Sequence, residues 1–265
     1  MLMASPPRAL PDVTVTAWSG LLVAATAAVA ISRAHSTSGT ALLLAAVVGS
    51  LPAVLCAIAV SRRRPRTATP ADRVTMTRAV LASGCAAVTV LVLAGAVPAR
   101  TWWLVALIVP TLLLDAVDGP VARRTGTVTE AGGRLDMQVD AGILVVLSVA
   151  VAPVVGVWVV LIGALRYVFV AASWLRPSLR TPLPRSPFRR VVAGLQGAVL
   201  AFAIAPVVPV DIARAALLLA LGLLLASFAN QVVLQERQNV GLGVVAGEAP
   251  GACRGLPLPQ GQAAG

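Results

Sequence analysis

Long apolar segments separated by short polar connections dominate the pattern of this 265-residue chain. Each apolar segment is rich in Ala, Val and Leu and approaches the roughly 20 residues that an α-helix needs to cross a bilayer. The strict alternation of polar and apolar positions that marks barrel strands does not occur within them. The pattern predicts an all-α, polytopic membrane helix bundle. Its eight transmembrane helices are expected at about residues 13–32, 40–60, 76–97, 101–119, 137–156, 157–175, 189–207 and 212–233.

Two polar stretches accompany the third and the last predicted spans. Thr69, Pro70 and Asp72 have the pattern of a capped helix start, with proline in the first turn and an acid three residues after the cap. The residues that follow, up to Arg78, are polar enough to be expected along the membrane interface before the third span begins. After Gln235 the chain is rich in Gly, Pro, Gln and Ala, which predicts a disordered tail.

Composition excludes several classes of protein. Hydrophobic residues make up 58% of the chain and charged residues only 12%, against about 25% charged residues in soluble domains. Three scattered cysteines and a single histidine argue against a disulfide framework and a histidine-rich metal centre. An ordinary soluble enzyme, a disordered chain and a secreted disulfide scaffold are therefore excluded.

The net charge of +11 comes from 21 arginines and no lysine. Most of these arginines lie in the connections after the second, fourth and sixth predicted helices, which face one side if the helices alternate. The positive-inside rule makes that side cytoplasmic. We therefore expect a multi-pass protein of the cell membrane with both termini in the cytoplasm. No signature of nucleic-acid binding accompanies the charge.

Acidic residues are concentrated in one part of the chain. Five of the ten acidic residues fall between positions 115 and 140. Asp115 and Asp118 are three residues apart and Asp136 and Asp140 four apart, so each pair projects from one face of its helix. Such groups at membrane depth are functional by default. Two pairs of hard oxygen ligands suit Mg²⁺ or Mn²⁺ and phosphate chemistry, whereas the alternative is pairing with arginines that fixes helix packing.

The four aspartates belong to a longer pattern. It runs Asp115-x-x-Asp118-Gly119-x-x-Ala122-Arg123 and continues with Gly132, Asp136 and Asp140. The chain matches every fixed position of a known signature and resembles the CDP-alcohol phosphotransferase (CDP-alcohol phosphatidyltransferase) family. The resemblance implies a six-helix core at 63–233, an extension at 1–62 with two further transmembrane helices, and a disordered cytoplasmic tail at 234–265.

The resemblance also implies a reaction and its residues. Members transfer a substituted phosphate from a CDP-linked donor such as CDP-diacylglycerol to an alcohol and release CMP, a step of phospholipid biosynthesis. By this resemblance, Asp115, Asp118 and Asp136 are expected to bind two Mg²⁺ or Mn²⁺ ions. Asp140 is expected to be the general base and to touch the second metal. The expected nucleotide-binding residues are Thr75, Gly119, Ala122, Arg123 and Gly132.

Two outer motifs of the family match less completely. The run Asn-x-(Leu/Ile/Val)-Thr-x-x-Arg occurs as Asp72-Arg-Val-Thr75-Met-Thr-Arg78, with Asp where Asn is usual, and Asp72 has the position of a helix cap. The run Gly-Lys-x-x-Thr-x-x-Gln of many phosphate-accepting members retains only a cation, Arg190, and Gln196. These departures leave the alcohol acceptor open.

Three arginines are expected to contact the acceptor. They are Arg134, Arg166 and Arg190. Arg166 lies inside the sixth predicted span, where it either pairs with the aspartates or reaches a substrate phosphate. An arginine-rich cytoplasmic face favours a phosphorylated polyol, either glycerol phosphate or inositol phosphate. The resemblance further implies a homodimer in the lipid bilayer.

Two other functions share some of these features. A membrane prenyltransferase also uses aspartates and Mg²⁺ on a diphosphate, but its acidic motifs normally lie in two distant halves of the chain. A transporter or proton path would favour acids spread along a route and an inverted repeat. Neither pattern is present, so a transferase that uses a CDP-linked lipid is the leading hypothesis.

Overall fold

The computed structural model describes residues 9–34, 37–63, 69–124, 129–175 and 187–247. Over these ranges the chain forms eight α-helices, and one 3₁₀ turn at Val157–Val159 follows the fifth of them. The helices are α1 (Ala9–Ala34), α2 (Gly39–Ser61), α3 (Pro70–Leu93), α4 (Trp102–Arg124), α5 (Glu130–Val155), α6 (Val160–Leu175), α7 (Pro187–Ile204) and α8 (Val210–Gly247).

The predicted polytopic helix bundle is confirmed. Each of the eight predicted segments corresponds to one helix. The five helices α1, α2, α3, α5 and α8 are long and apolar enough to cross a membrane. The other three contain shorter apolar stretches, at Trp102–Ala116, Val157–Ala171 and Gly194–Ile204.

The start of α3 has the predicted capping pattern. The Thr69 hydroxyl oxygen accepts a hydrogen bond from the Asp72 amide at 3.1 Å, and an Asp72 carboxylate oxygen accepts one from the Thr69 amide at 2.9 Å. From Pro70 the helix runs without a break to Leu93. The stretch predicted to lie along the interface is therefore continuous with the helix of the third span. Asp72 and Arg78 are buried inside the bundle because Arg63, just after α2, and Asp136 of α5 supply partners for their charges.

The last helix is longer than predicted. α8 continues to Gly247, whereas the sequence predicts a disordered tail from residue 234. The first residues beyond the apolar segment are Gln235, Glu236, Arg237 and Gln238, which all have good helix propensity and extend a helix that is already nucleated. Residues 234–247 of the predicted tail are therefore helical.

The two N-terminal helices pack on α3 through small residues. A Cβ atom added to Gly49 of α2 would lie 2.7 Å from the Ala87 Cβ of α3, and one added to Gly20 of α1 would clash with Ala53 of α2. Only glycine allows these helices to approach so closely. The Ser83 hydroxyl of α3 also accepts a hydrogen bond from the Ala53 amide at 3.2 Å. The extension is thus packed against the helix that carries the Asp72–Arg78 run.

At the end of the bundle away from the acidic cluster, arginines bind backbone carbonyls. Arg100 donates hydrogen bonds to the carbonyls of Ala205, at 2.6 Å, and Val208, which lie between α7 and α8. Arg214 donates to the Val154 carbonyl in the last turn of α5 at 3.1 Å. Carbonyls at helix ends lack intrahelical partners, so these contacts satisfy them. Both arginines therefore have a structural role.

Candidate active site

Three of the four predicted aspartates converge in the structure. Asp115 comes from α4, and Asp136 and Asp140 come from successive turns of α5. One carboxylate oxygen from each can be chosen so that all three lie within 4.8 Å of one another. The spacing of the aspartates predicted one face on each helix, and the fold brings the two faces together. The fourth residue, Asp118, has its backbone in α4 and its side chain outside the described residues.

The guanidinium of Arg78 bridges these three carboxylates. One terminal nitrogen lies 2.5 Å from an Asp136 oxygen, and the other lies 2.9 Å from an Asp115 oxygen and also bonds Asp140. Arg78 itself is 1% exposed, whereas the three aspartate side chains are between 34% and 40% exposed. The cation is therefore buried beneath the cluster, and the carboxylates remain accessible from the other side.

Arg78 is not among the candidate site residues predicted from the sequence. A signal was present, because Arg78 is the last fixed position of the outer motif that begins at Asp72. Its partners Asp136 and Asp140 lie 58 and 62 residues further along the chain, so no local pattern connects them. The packing of α3 against both α4 and α5 is what brings them together.

A second ion pair lies at the start of α3. Asp72 is 2% exposed and accepts a hydrogen bond from Arg63, which follows α2, at 2.7 Å. Arg63 also donates to the Ala131 carbonyl in the first turn of α5 at 2.7 Å. A Cβ added to Gly132 would lie 3.6 Å from an Asp72 oxygen, so α3 and α5 approach closely at this point. Thr75 follows in the next turn of α3 and is also buried.

The predicted acceptor arginines lie in different environments. Arg134 forms an ion pair with Glu130 one turn earlier on α5 at 2.5 Å, and both side chains are highly exposed. Arg166 of α6 is half-buried. The ion pairs of Asp115, Asp136 and Asp140 among the described residues involve Arg78 and not Arg166.

Five predicted site residues lie near the end of α4 or at the start of α7. The backbones of four of them are in the last two turns of α4 or at its end, and the backbone of the fifth is in the first turn of α7. Their side chains lie outside the described residues. The five are Asp118, Gly119, Ala122, Arg123 and Arg190.

The position of Asp140 within α5 decides how strongly the helix dipole acts on its carboxylate. The predicted span begins at residue 137 and places Asp140 in the first turn, near the positive end of the helix dipole. The observed helix begins at Glu130, with the Thr129 hydroxyl as its N-cap. Since the dipole effect decays within the first turn, it contributes little at Asp140. The nearest described cation to that carboxylate is the Arg78 guanidinium.

The arrangement fits a hard divalent cation. Carboxylate oxygens are the ligands that Mg²⁺ and Mn²⁺ prefer, and three of them are close enough here to share one ion. The cluster carries three carboxylates and one guanidinium, so it retains an excess of negative charge when all are ionised. Surplus negative charge at membrane depth needs a further cation or a proton.

Part of the chain matches a known protein family. A family profile described as CDP-alcohol phosphatidyltransferase matches residues 68–228, which is more than half of the chain. The match begins just before α3 and ends within α8, and it leaves out α1 and α2. No curated protein and no solved structure is similar enough to the chain to give a match.

Proposed function

The chain belongs to the CDP-alcohol phosphatidyltransferase family, and we propose that it transfers a phosphatidyl group from CDP-diacylglycerol to a small alcohol, releasing CMP. The family transfers a phosphate-linked group from a CDP-alcohol donor to an alcohol acceptor in a membrane. The observation that carries the proposal is the convergence of Asp115, Asp136 and Asp140 within a membrane helix bundle. The proposed role is in phospholipid biosynthesis, and family membership argues against the prenyltransferase and transporter hypotheses.

We propose that the carboxylates hold Mg²⁺ or Mn²⁺, as two ions. The proposed ligands are Asp115, Asp118, Asp136 and Asp140, of which three are already close together. A bound divalent cation would neutralise the diphosphate of the donor during displacement. The excess negative charge of the cluster and its accessible side support this assignment.

Asp140 is the proposed general base. Its carboxylate accepts the proton of the acceptor hydroxyl while the hydroxyl oxygen forms a bond to the phosphorus of the phosphatidyl group. The bond between that phosphorus and the bridging oxygen of the diphosphate breaks, and CMP leaves with that oxygen. Asp140 lies one turn beyond Asp136 on α5, so one helix holds both the base and a proposed metal ligand in a fixed relation.

The donor nucleotide is proposed to bind between α3, the end of α4 and the start of α5. Residues of these three elements are Thr75, Gly119, Ala122, Arg123 and Gly132. The close approach of Gly132 to Asp72 supports the convergence of α3 and α5 at this site. Small residues admit the nucleotide, and an arginine offsets its charge.

The acceptor is proposed to be a phosphorylated polyol, either glycerol phosphate or inositol phosphate. Arg134 is exposed at the same end of α5 as the carboxylates, and its charge suits an anionic substrate. Arg166 and Arg190 are proposed to complete the acceptor site. The homodimer implied by the family resemblance stays a prediction.

We propose that the active site faces the cytoplasm. Arginines are concentrated in the sequence that follows α2, α4 and α6, and the acidic cluster lies in the second half of α4 and the first half of α5. The positive-inside rule assigns the end of the bundle where α4 ends and α5 begins to the cytoplasm. In sealed vesicles, a membrane-impermeant phosphorylated polyol is then expected to support CMP release only in inverted vesicles. Equal release from right-side-out vesicles would contradict this orientation.

Purified protein is expected to release CMP from CDP-diacylglycerol only when both a divalent cation and an alcohol acceptor are present. Radiolabelled CMP would be measured with glycerol phosphate, inositol phosphate, serine and inositol as separate acceptors. Chelation with EDTA should abolish release, and added Mg²⁺ or Mn²⁺ should restore it. CMP release that persists in EDTA would overturn the metal assignment, and no release with any alcohol would overturn the proposed donor and reaction.

Arg78→Gln is expected to lower the unfolding temperature of the metal-free protein by about 5 °C, because three neighbouring carboxylates lose a shared cation. Since Mg²⁺ then compensates more of the remaining repulsion, the increase in unfolding temperature on adding Mg²⁺ should be larger in Arg78→Gln than in the wild type. Arg62→Gln, an exposed arginine at the end of α2, is the matched control. Equal Mg²⁺-dependent shifts in both variants would argue against charge compensation by Arg78.

A further inference from the structure

We propose that Arg63, in the turn that follows the two N-terminal helices, is a positioning residue for the nucleotide side of the active site. This inference rests on the proposed function. Arg63 lies just beyond the end of α2 and outside the region that matches the family profile. Its backbone amide donates to the Val60 carbonyl at 3.1 Å, so the turn that carries it is tied to α2. The turn after α2 therefore reaches the proposed nucleotide site through one side chain.

The Arg63 side chain links the end of α2 to the starts of α3 and α5. One terminal nitrogen lies 2.7 Å from an Asp72 carboxylate oxygen on α3, and the other donates at 2.7 Å to the Ala131 carbonyl on α5. The Arg63 side chain is 16% exposed and that of Asp72 only 2%. Bonds between a guanidinium and a carboxylate are among the stronger hydrogen bonds of proteins, and burial protects them from screening. The contact therefore holds the starts of α3 and α5 against the end of α2.

The two joined positions border the residues proposed to bind CDP. Ala131 directly precedes Gly132, and the Asp72 carboxylate lies 3.6 Å from where a Gly132 Cβ would be. Thr75 lies in the next turn of α3 after Asp72. A displacement of either helix start would change the distance between Thr75 and Gly132. Arg63 thus sets the spacing of the proposed nucleotide pocket without touching the nucleotide.

The same contact explains how the chain tolerates Asp72 where many relatives have Asn. A buried carboxylate without a cation is strongly unfavourable, whereas a neutral Asn needs no counterion. One Asp72 oxygen binds Arg63, and the other accepts hydrogen bonds from the Thr69 amide and hydroxyl, both at 2.9 Å. Asp72 is thereby both the third-position partner of the Thr69 cap and the anchor for Arg63. Arg63 and Asp72 therefore act as a pair in this part of the site.

Arg63→Gln in the full-length protein is expected to weaken CDP binding and to raise KM for CDP-diacylglycerol, each by about tenfold, because a displacement of about 1 Å at a positioned group can cost up to about 10²-fold. The kcat should change little, since Asp115, Asp136 and Asp140 keep their contacts with Arg78. CDP affinity would be measured by titration calorimetry in the presence of Mg²⁺. Arg62→Gln is the matched control, because Arg62 is adjacent and exposed, and it should behave as the wild type.

The double variant Arg63→Gln/Asp72→Asn separates positioning from charge neutralisation. It removes the unpaired buried carboxylate, so the unfolding temperature should recover towards the wild-type value. The hydrogen bond to Ala131 is still missing, so the CDP dissociation constant should stay high. Recovery of CDP affinity together with stability would overturn the inference, as would equal affinities in Arg63→Gln and Arg62→Gln. Failure of the proposed function is distinguishable, because the wild type and Arg62→Gln would then both release no CMP.

Discussion

Asp136→Asn and Asp115→Asn are each expected to lower CMP release by about 10³-fold, since a metal that stabilises transition-state charge contributes several kcal/mol. An amide keeps the size of the carboxylate and one of its oxygens but loses the negative charge that a divalent cation requires. The protein should stay folded, because Arg78 retains two of its three carboxylate partners in either variant. Turnover would be measured together with thermal unfolding, so that loss of activity is separated from loss of structure.

The same variants should also lose most of the Mg²⁺-dependent increase in unfolding temperature, which reports binding without turnover. Asp211→Asn is the matched control, because Asp211 is 97% exposed, lies 4.0 Å from Arg214 and sits at the end of the bundle away from the cluster. It should keep wild-type turnover and the wild-type response to Mg²⁺. Near-normal turnover of Asp115→Asn or Asp136→Asn would contradict their assignment as ligands.

The helix bundle could be predicted because each helix is encoded locally by about 20 apolar residues. The boundaries that were missed are those where polar residues enter a helix. α5 begins at Glu130, more than a turn before the predicted span, and α8 continues past residue 233, whereas the start of α3 at Pro70 agrees with the predicted cap at Thr69. Asp72 and Arg78 are polar enough to be expected at the membrane surface, whereas both are buried, because Asp72 pairs with Arg63 just after α2 and Arg78 pairs with Asp136 of α5.

The candidate site could be predicted only as far as its residues are neighbours in sequence. The pairing of Asp136 with Asp140 follows from four-residue spacing on one helix. The contacts of Arg78 with Asp136 and of Arg63 with Ala131 do not follow from local spacing, because these partners lie 58 and 68 residues further along the chain. The chain has 21 arginines. Only helix packing distinguishes Arg63 and Arg78 from the arginines that are expected to orient the protein in the membrane.

Asp140→Asn is expected to separate the general base from the metal ligands. General-base catalysis contributes about 10²–10⁴ in rate, so kcat for CMP release should decrease by about that factor. CDP binding in the presence of Mg²⁺ should largely survive, because Asp115, Asp118 and Asp136 are proposed to hold an ion without Asp140. Titration calorimetry with CDP and Mg²⁺ would be compared directly between Asp140→Asn and Asp115→Asn, with turnover measured on the same preparations.

The comparison is informative because Asp140 and Asp115 contact the same terminal nitrogen of Arg78 and are equally exposed, at 40% each. A purely electrostatic role would therefore make the two variants alike in both binding and turnover. A base role makes them differ, with CDP affinity lost in Asp115→Asn and retained in Asp140→Asn. If Asp140→Asn loses CDP affinity as severely as Asp115→Asn, Asp140 is mainly a metal ligand, and the acceptor proton must go to another group.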